Sequence, residues 1–119
     1  MAEQGFLTTH ILDTARGCPA EAVAIDLYRI NGEERTHIVS TETNNDGRTN
    51  SPLIPKGDFE CGTYELVFHI GKYFKGFAPD SEHPFIDVVP IRFGIDDDTS
   101  HYHVPLLASP FSFSTYRGS

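Results

Sequence analysis

Between Gly62 and Ile70 the sequence alternates. Tyr64, Leu66, Phe68 and Ile70 fall on one side of an extended strand, and the residues between them on the other. The same period returns at His101-Tyr102-His103-Val104-Pro105-Leu106-Leu107, where Tyr102, Val104 and Leu106 share a face. Other short runs of this kind are separated by turn residues at intervals of about 8–12 positions. A chain so punctuated has to cover several half-buried strands at once. An antiparallel β-sandwich with one short helix does that.

Taken in order, Phe6 to Leu12 reads as the first strand, with His10 and Thr8 on one face and Leu7, Thr9 and Ile11 on the other. Ala22–Ile30 and Arg35–Thr43 flank Asn31-Gly32, a hairpin signal, and are expected to pair antiparallel. The polar stretch Asn44 to Asn50 holds Asp46-Gly47, a tight reversal that displays Arg48. Ser51 to Gly57 is a short strand or an irregular connection, limited by its prolines. Gly71 to Phe77 is the one helical candidate, with Tyr73, Phe74 and Phe77 on one side and Pro79 as its stop. Phe85 to Ile95 is expected as a long strand. Pro105 lacks an amide donor, so a bulge, an end or an unpaired position is expected there. Phe111, Phe113 and Thr115 alternate nearly to the C-terminus, which suggests an end that is tied down.

The 119 residues amount to one domain, residues 1–119. The net charge of −8 argues against nucleic acid and anionic membranes as partners, since both need clustered Lys and Arg. A small anion needs only a local cation and stays possible. Cys18 and Cys61 form no metal or redox spacing and are expected as free thiols. No run of 18 apolar residues and no signal-peptide pattern is visible. The expected location is therefore cytoplasmic, or peroxisomal in a eukaryote.

The chemistry gathers off the apolar faces. His101 and His103 project from the non-core side of their strand, roughly 7 Å apart along it. Read blandly, they are surface histidines on an edge strand, and Arg48 is a solvated loop charge. His69 reads as a solvent or interface histidine. Asp96-Asp97-Asp98 lacks the spaced ligands and glycine of a calcium loop and reads as a solvated turn. Against the bland reading of the histidines stands the chain end, Tyr116-Arg117-Gly118-Ser119, which offers a cation, a hydroxyl and a carboxylate.

Three stretches, Leu7-Thr8-Thr9-His10-Ile11-Leu12-Asp13, Asp46-Gly47-Arg48-Thr49 and His101 to Leu107, together with the Tyr116–Ser119 end, closely resemble the transthyretin-related proteins, specifically the 5-hydroxyisourate hydrolases of purine degradation. The resemblance covers nearly the whole chain. It implies a transthyretin-like (prealbumin-like) all-β sandwich of two four-stranded sheets with one short helix. It also implies a homotetramer, a dimer of dimers, with active sites in the channel between dimers. Carried over residue by residue, it points to His10, Arg48, His103 and Ser119 as catalytic. Arg48, His101, Tyr116, Arg117 and Gly118 are implied as substrate-binding. The implied reaction opens 5-hydroxyisourate to 2-oxo-4-hydroxy-4-carboxy-5-ureidoimidazoline with no cofactor and no metal.

The residues themselves fit that chemistry. Opening a cyclic amide requires an activated water, a cation for the oxyanion and a proton for the leaving nitrogen. Imidazoles titrate near neutrality and serve as base and acid. Arg48 keeps its charge and can grip a urate-like ring through paired N–H donors. Two other classes remain open at this stage. One is a zinc protein, since His-x-His plus a third histidine can form such a site, although no fourth ligand is evident and Arg48 opposes a cation. The other is a transthyretin-type carrier of small ligands, to which the histidines would be of no use.

Overall fold

Two stretches of the chain, 6–13 and 101–108, run side by side and parallel, and they carry the site. The computed structural model describes residues 4–54, 57–77 and 82–118. Strand β1 (Phe6–Thr8) continues through His10 into β2 (Ile11–Asp13). A two-residue strand, β3 (Cys18–Pro19), pairs antiparallel with β2. Next come β4 (Ala24–Asn31), β5 (Glu34–Glu42) and β6 (Gly62–Phe68). Helix α1 (Ile70–Lys75) follows, then β7 (Val89–Ile95). The last strands are β8 (His101–His103), β9 (Leu106–Ala108) and β10 (Phe113–Thr115).

One four-stranded sheet has the order β5-β4-β6-β7 and is antiparallel throughout. The other has the order β10-β9-β2-β3 and is extended by the β1-β8 pair. The expected sandwich of two four-stranded sheets with one short helix is what forms. Its ladders are antiparallel except for β1-β8 and β2-β9. Those two share one register: Phe6 lies opposite His101 and Ile11 opposite Leu106, an offset of 95 residues in both cases.

Pro105 falls in the gap between β8 and β9. The amide of Val104 donates to Thr8 O (3.0 Å) and that of Leu106 to His10 O (2.9 Å). In a parallel ladder only alternate residues face a given neighbour. Pro105 takes the intervening position, so its missing donor breaks no bond to the N-terminal strand. Its carbonyl accepts from Thr115 Oγ1 (2.7 Å).

The apolar faces meet between the sheets. Leu7, Ile11 and Leu106 on one side, and Leu27, Leu66 and Phe68 on the other, are fully buried. Each such side chain contributes about 1.5–3 kcal/mol on burial. Thr9 is buried among them and donates to Val104 O (2.7 Å), which satisfies its hydroxyl inside the core. The Asn31 hairpin closes through Gly32 (φ +62°) and Glu33, with glycine at the first central position as a type II′ turn requires.

Three expectations change. The strand expected over Phe85–Ile95 begins only at Val89, and Phe85 is 75% exposed. The backbone before it is used differently, because Asp87 O accepts from Gly71 N at the start of α1 (2.7 Å). A side chain at Gly71 would meet that passing chain at 2.8 Å. Second, Phe111 and Phe113 alternate as expected but are exposed, at 74% and 44%. The chain end is held by backbone bonds rather than by those rings. Third, His69 is not simply solvated, since its Nε2 lies 2.9 Å from Asp26 Oδ2. The expected helix stop at Pro79 lies outside the described residues. Cys18 and Cys61 are free thiols. No described helix is long and apolar enough to cross a membrane.

Candidate active site

The site begins with a turn that only glycine can make. Gly47 has φ +75°, and a Cβ on it would lie 2.4 Å from Ile11 O. Without that Cβ, Gly47 O can accept from Ile11 N (2.8 Å), which clamps the 44–48 turn onto the N-terminal strand. Asn44 fixes the turn from within. Its Oδ1 accepts from the amides of Asp46 (2.8 Å) and Arg48 (3.2 Å), and its own amide donates to Arg48 O (2.7 Å). His10 and Arg48 are thereby paired in an antiparallel bridge. Arg48 is exposed, as a loop charge would be, but its backbone is fixed against the N-terminal strand beside His10.

The parallel register supplies the other half. Thr8 lies opposite His103, and both side chains leave the core face. Thr8 Oγ1 is 2.7 Å from His103 Nδ1 and 2.6 Å from His101 Nε2. His101 stacks on Phe6, with ring centroids 4.1 Å apart and planes 9° apart. Arg48, His101 and His103, with Thr8, Thr49 and Asn50, line an open cleft of about 470 Å³. His10 stands beside this cleft as the bridge partner of Arg48.

All three imidazoles have pKa values below the ordinary histidine value. Burial lowers His10 most, followed by the Arg48 charge, while Asp46 pulls the other way. His103 is lowered by burial, then by Arg48, His101 and His10. For His101, burial is the cause. The lowered values favour the neutral rings at neutral pH, and a neutral imidazole carries one basic lone pair.

The chain end closes on the same strand. Gly118 N donates to His103 O (2.7 Å), and a Cβ on Gly118 would lie 2.9 Å from His103 Cδ2. Gly118 thus packs directly on the imidazole. Arg117 holds its guanidinium 3.9 Å over the Tyr102 ring. Arg117 and Tyr116 line a neighbouring hollow of about 240 Å³ rather than the histidine cleft of the protomer. Ser119 lies outside the described residues.

Sequence reasoning missed Thr8. It was one of two threonines in a motif, and its partners sit 93 and 95 residues away. Only the parallel register would have exposed it. Among the described residues, no group of three or more His, Cys, Asp or Glu could hold a metal ion. In the acidic turn, Asp97 accepts from Thr99 and Ser100 within the loop. The Asp96 and Asp97 amides donate to Tyr102 Oη. The turn anchors Tyr102.

Residues 7–118 match the model of the HIUase/Transthyretin family. A 5-hydroxyisourate hydrolase from Deinococcus radiodurans is 55% identical over 113 residues, covering 95% of this chain and 95% of that protein. Among solved structures, an (S)-allantoin synthase superposes with a TM-score of 0.91 at 49% identity. It covers 99% of this chain, which spans only 45% of that one. A sea bream transthyretin in complex with thyroxine superposes with a TM-score of 0.84 at 29% identity, covering 94% of this chain and 93% of that one. Hydrolases and a thyroxine-binding protein share this sandwich, so the fold alone does not choose between them.

Proposed function

The chain belongs to the HIUase/Transthyretin family, and on that footing we propose that it hydrolyses 5-hydroxyisourate to 2-oxo-4-hydroxy-4-carboxy-5-ureidoimidazoline. The observation that carries this reading is the meeting of Arg48 and His103 in one polar cleft, with His10 bridged to Arg48 beside it. A carrier of apolar ligands gains nothing from three neutral imidazoles around a guanidinium.

Each group has a task. A neutral imidazole takes a proton from water as the oxygen attacks the lactam carbonyl. The Arg48 guanidinium sits where it can hold the ring oxygens and stabilise the oxyanion. As the tetrahedral intermediate collapses, the C–N bond breaks and an imidazolium returns the proton to the leaving nitrogen. His10 and His103 share these proton transfers. Arg48 disfavours charge on both rings, so the imidazolium is short-lived and readily gives its proton back. Water attacks directly and the reaction needs no cofactor. Gly118, packed on His103, borders the site, His101 lines it, and Tyr116, Arg117 and Ser119 contribute to substrate binding in this reading. The Ser119 hydroxyl orients the water or a histidine tautomer.

The active form in this reading is a homotetramer, a dimer of dimers. Strands β7 and β10 are the outermost strands of their sheets, and Phe85, Phe111, Phe113 and Tyr116 are exposed nearby. Such apolar exposure suits a surface covered by further copies. The test of the chemical assignment is His103→Ala. It should lose at least about two orders of magnitude in turnover of 5-hydroxyisourate, with the fold intact by circular dichroism. Near wild-type turnover would remove His103 from the mechanism.

A further inference from the structure

Thr8 carries one hydroxyl proton and meets two imidazole nitrogens at hydrogen-bond distance. A hydroxyl donates once. At least one of the two rings must therefore donate to Thr8, and where the hydroxyl links the two rings the other accepts from it. In the first arrangement His103 Nδ1–H donates to Thr8 Oγ1, and the Thr8 O–H donates to His101 Nε2. In the second the direction is reversed. The two differ in what they leave at His103 Nε2. The first leaves a lone pair, and the second leaves an N–H.

We propose that Thr8 and His101 are positioning residues that hold resting His103 in its Nδ1–H tautomer and take over its charge during turnover. This rests on the reading of the cleft as a hydrolytic site. In the resting state His103 Nε2 is then an open base. When Nε2 takes a proton from water, His103 becomes an imidazolium. Its Nδ1 proton passes to Thr8 Oγ1 as the Thr8 proton passes to His101 Nε2. Two O–H or N–H bonds break and two form, and one positive charge moves from His103 to His101. His103 is left neutral with Nε2–H; the return shift makes it the imidazolium again as Nε2 gives its proton to the leaving nitrogen, which restores the start.

The surroundings favour this direction of charge movement. The charged and titratable groups acting on His103 are Arg48, His101 and His10, and all three oppose a proton on its ring. On His101 the opposing influence is burial. Charge moved to His101 is charge moved away from the Arg48 guanidinium. The stack on Phe6 holds the His101 ring in plane for the exchange.

Thr8→Val keeps the shape of the side chain and deletes the hydroxyl, Thr8→Ser keeps the hydroxyl, and His101→Phe keeps a ring for the stack and deletes both nitrogens. Turnover of 5-hydroxyisourate and nitrogen-15 NMR of labelled histidine are measured on each, with melting temperatures. Thr8→Val and His101→Phe should lower kcat by about one to two orders of magnitude, with KM little changed in Thr8→Val, and Thr8→Ser should recover most of the rate. The NMR signal of His103 should report Nδ1–H in the wild type and shift to Nε2–H in Thr8→Val. An Nε2–H wild type, or a folded Thr8→Ser as slow as Thr8→Val, would overturn the proposal. If Thr8→Val does not fold, the other two variants decide it. An inert wild type would defeat the hydrolytic reading, while the wild-type tautomer would still be read from the spectrum.

Discussion

Gly118→Ala tests how closely the chain end governs His103. The added Cβ would lie 2.9 Å from His103 Cδ2, 3.3 Å from its Cβ and 3.4 Å from its Cγ, where ordinary contact is 3.4–4 Å. The ring must therefore retreat by about 0.5–1 Å. Gly118 is not among the residues of positive φ, so alanine brings no backbone strain and the effect is purely one of displacement. The bond from His103 Nδ1 to Thr8 Oγ1 is now 2.7 Å. A shift of that size takes it past about 3.2 Å, beyond good geometry. Misplacing a reacting group by about 1 Å costs up to roughly 100-fold in rate. We expect kcat to fall by about 10- to 100-fold, or about 1.4–2.7 kcal/mol of barrier. Gly118 is half-buried at the end of an exposed segment, residues 111–117, and only one ring has to give, so the loss of stability should stay near about 1 kcal/mol and the melting temperature should fall by no more than about 5 °C. Initial rates at saturating substrate, with a thermal melt of each protein, decide it. A wild-type kcat in Gly118→Ala would show that the terminus does not position the imidazole.

Three further outcomes follow from charge and composition. His10, His101 and His103 all have lowered pKa values, so the bases are neutral at pH 7. The acid limb of kcat/KM should then lie below about pH 6.5, and a limb centred above pH 7 would contradict the assignment. On the outer sheet face, the Asp26 carboxyl is held down to about 2, chiefly by the Ser40 hydroxyl and then by His69. A depressed carboxyl stabilises the fold above its unfolded pKa, and that contribution disappears as pH falls from about 4 toward 2. Asp26→Asn should cost about 1–2 kcal/mol near pH 7, allowing for partial exposure, and denaturant titrations should show the gap closing across that interval. Chelator treatment followed by assay should leave turnover unchanged, because every proposed step uses protein groups.

How far the sequence led is best seen residue by residue. The alternation at Tyr64, Leu66 and Phe68 gave the core-facing side of β6 directly, because period two maps onto the two sides of a strand, but it did not show that Glu65 and Val67 on the other side are buried as well. The same rule placed His101 and His103 away from the core. It misled at Phe85, where alternation continues but the backbone passes over Gly71 instead of joining a ladder. It also said nothing about cover. Phe111 and Phe113 have strand spacing, yet both are exposed, and the ring that Phe111 meets, Phe85, is exposed as well. The meeting of His10 with Arg48 came from resemblance to a family. Its physical cause, a glycine pressed against Ile11 O, is a tertiary contact that local pattern does not encode. Thr8 was hidden for a related reason. A threonine in a strand passes for β-propensity until the opposite strand is in register.

The central claim is that this cleft opens 5-hydroxyisourate by direct attack of water. The most direct measurement is ultraviolet monitoring of freshly generated 5-hydroxyisourate in oxygen-18 water, with and without the protein at catalytic concentration. Spontaneous decay in buffer is the baseline. The account predicts loss of the substrate absorbance well above baseline, in proportion to protein concentration. It also predicts one oxygen-18 atom in the new carboxylate of each product molecule. Decay at the buffer rate, whatever the protein concentration, would contradict it.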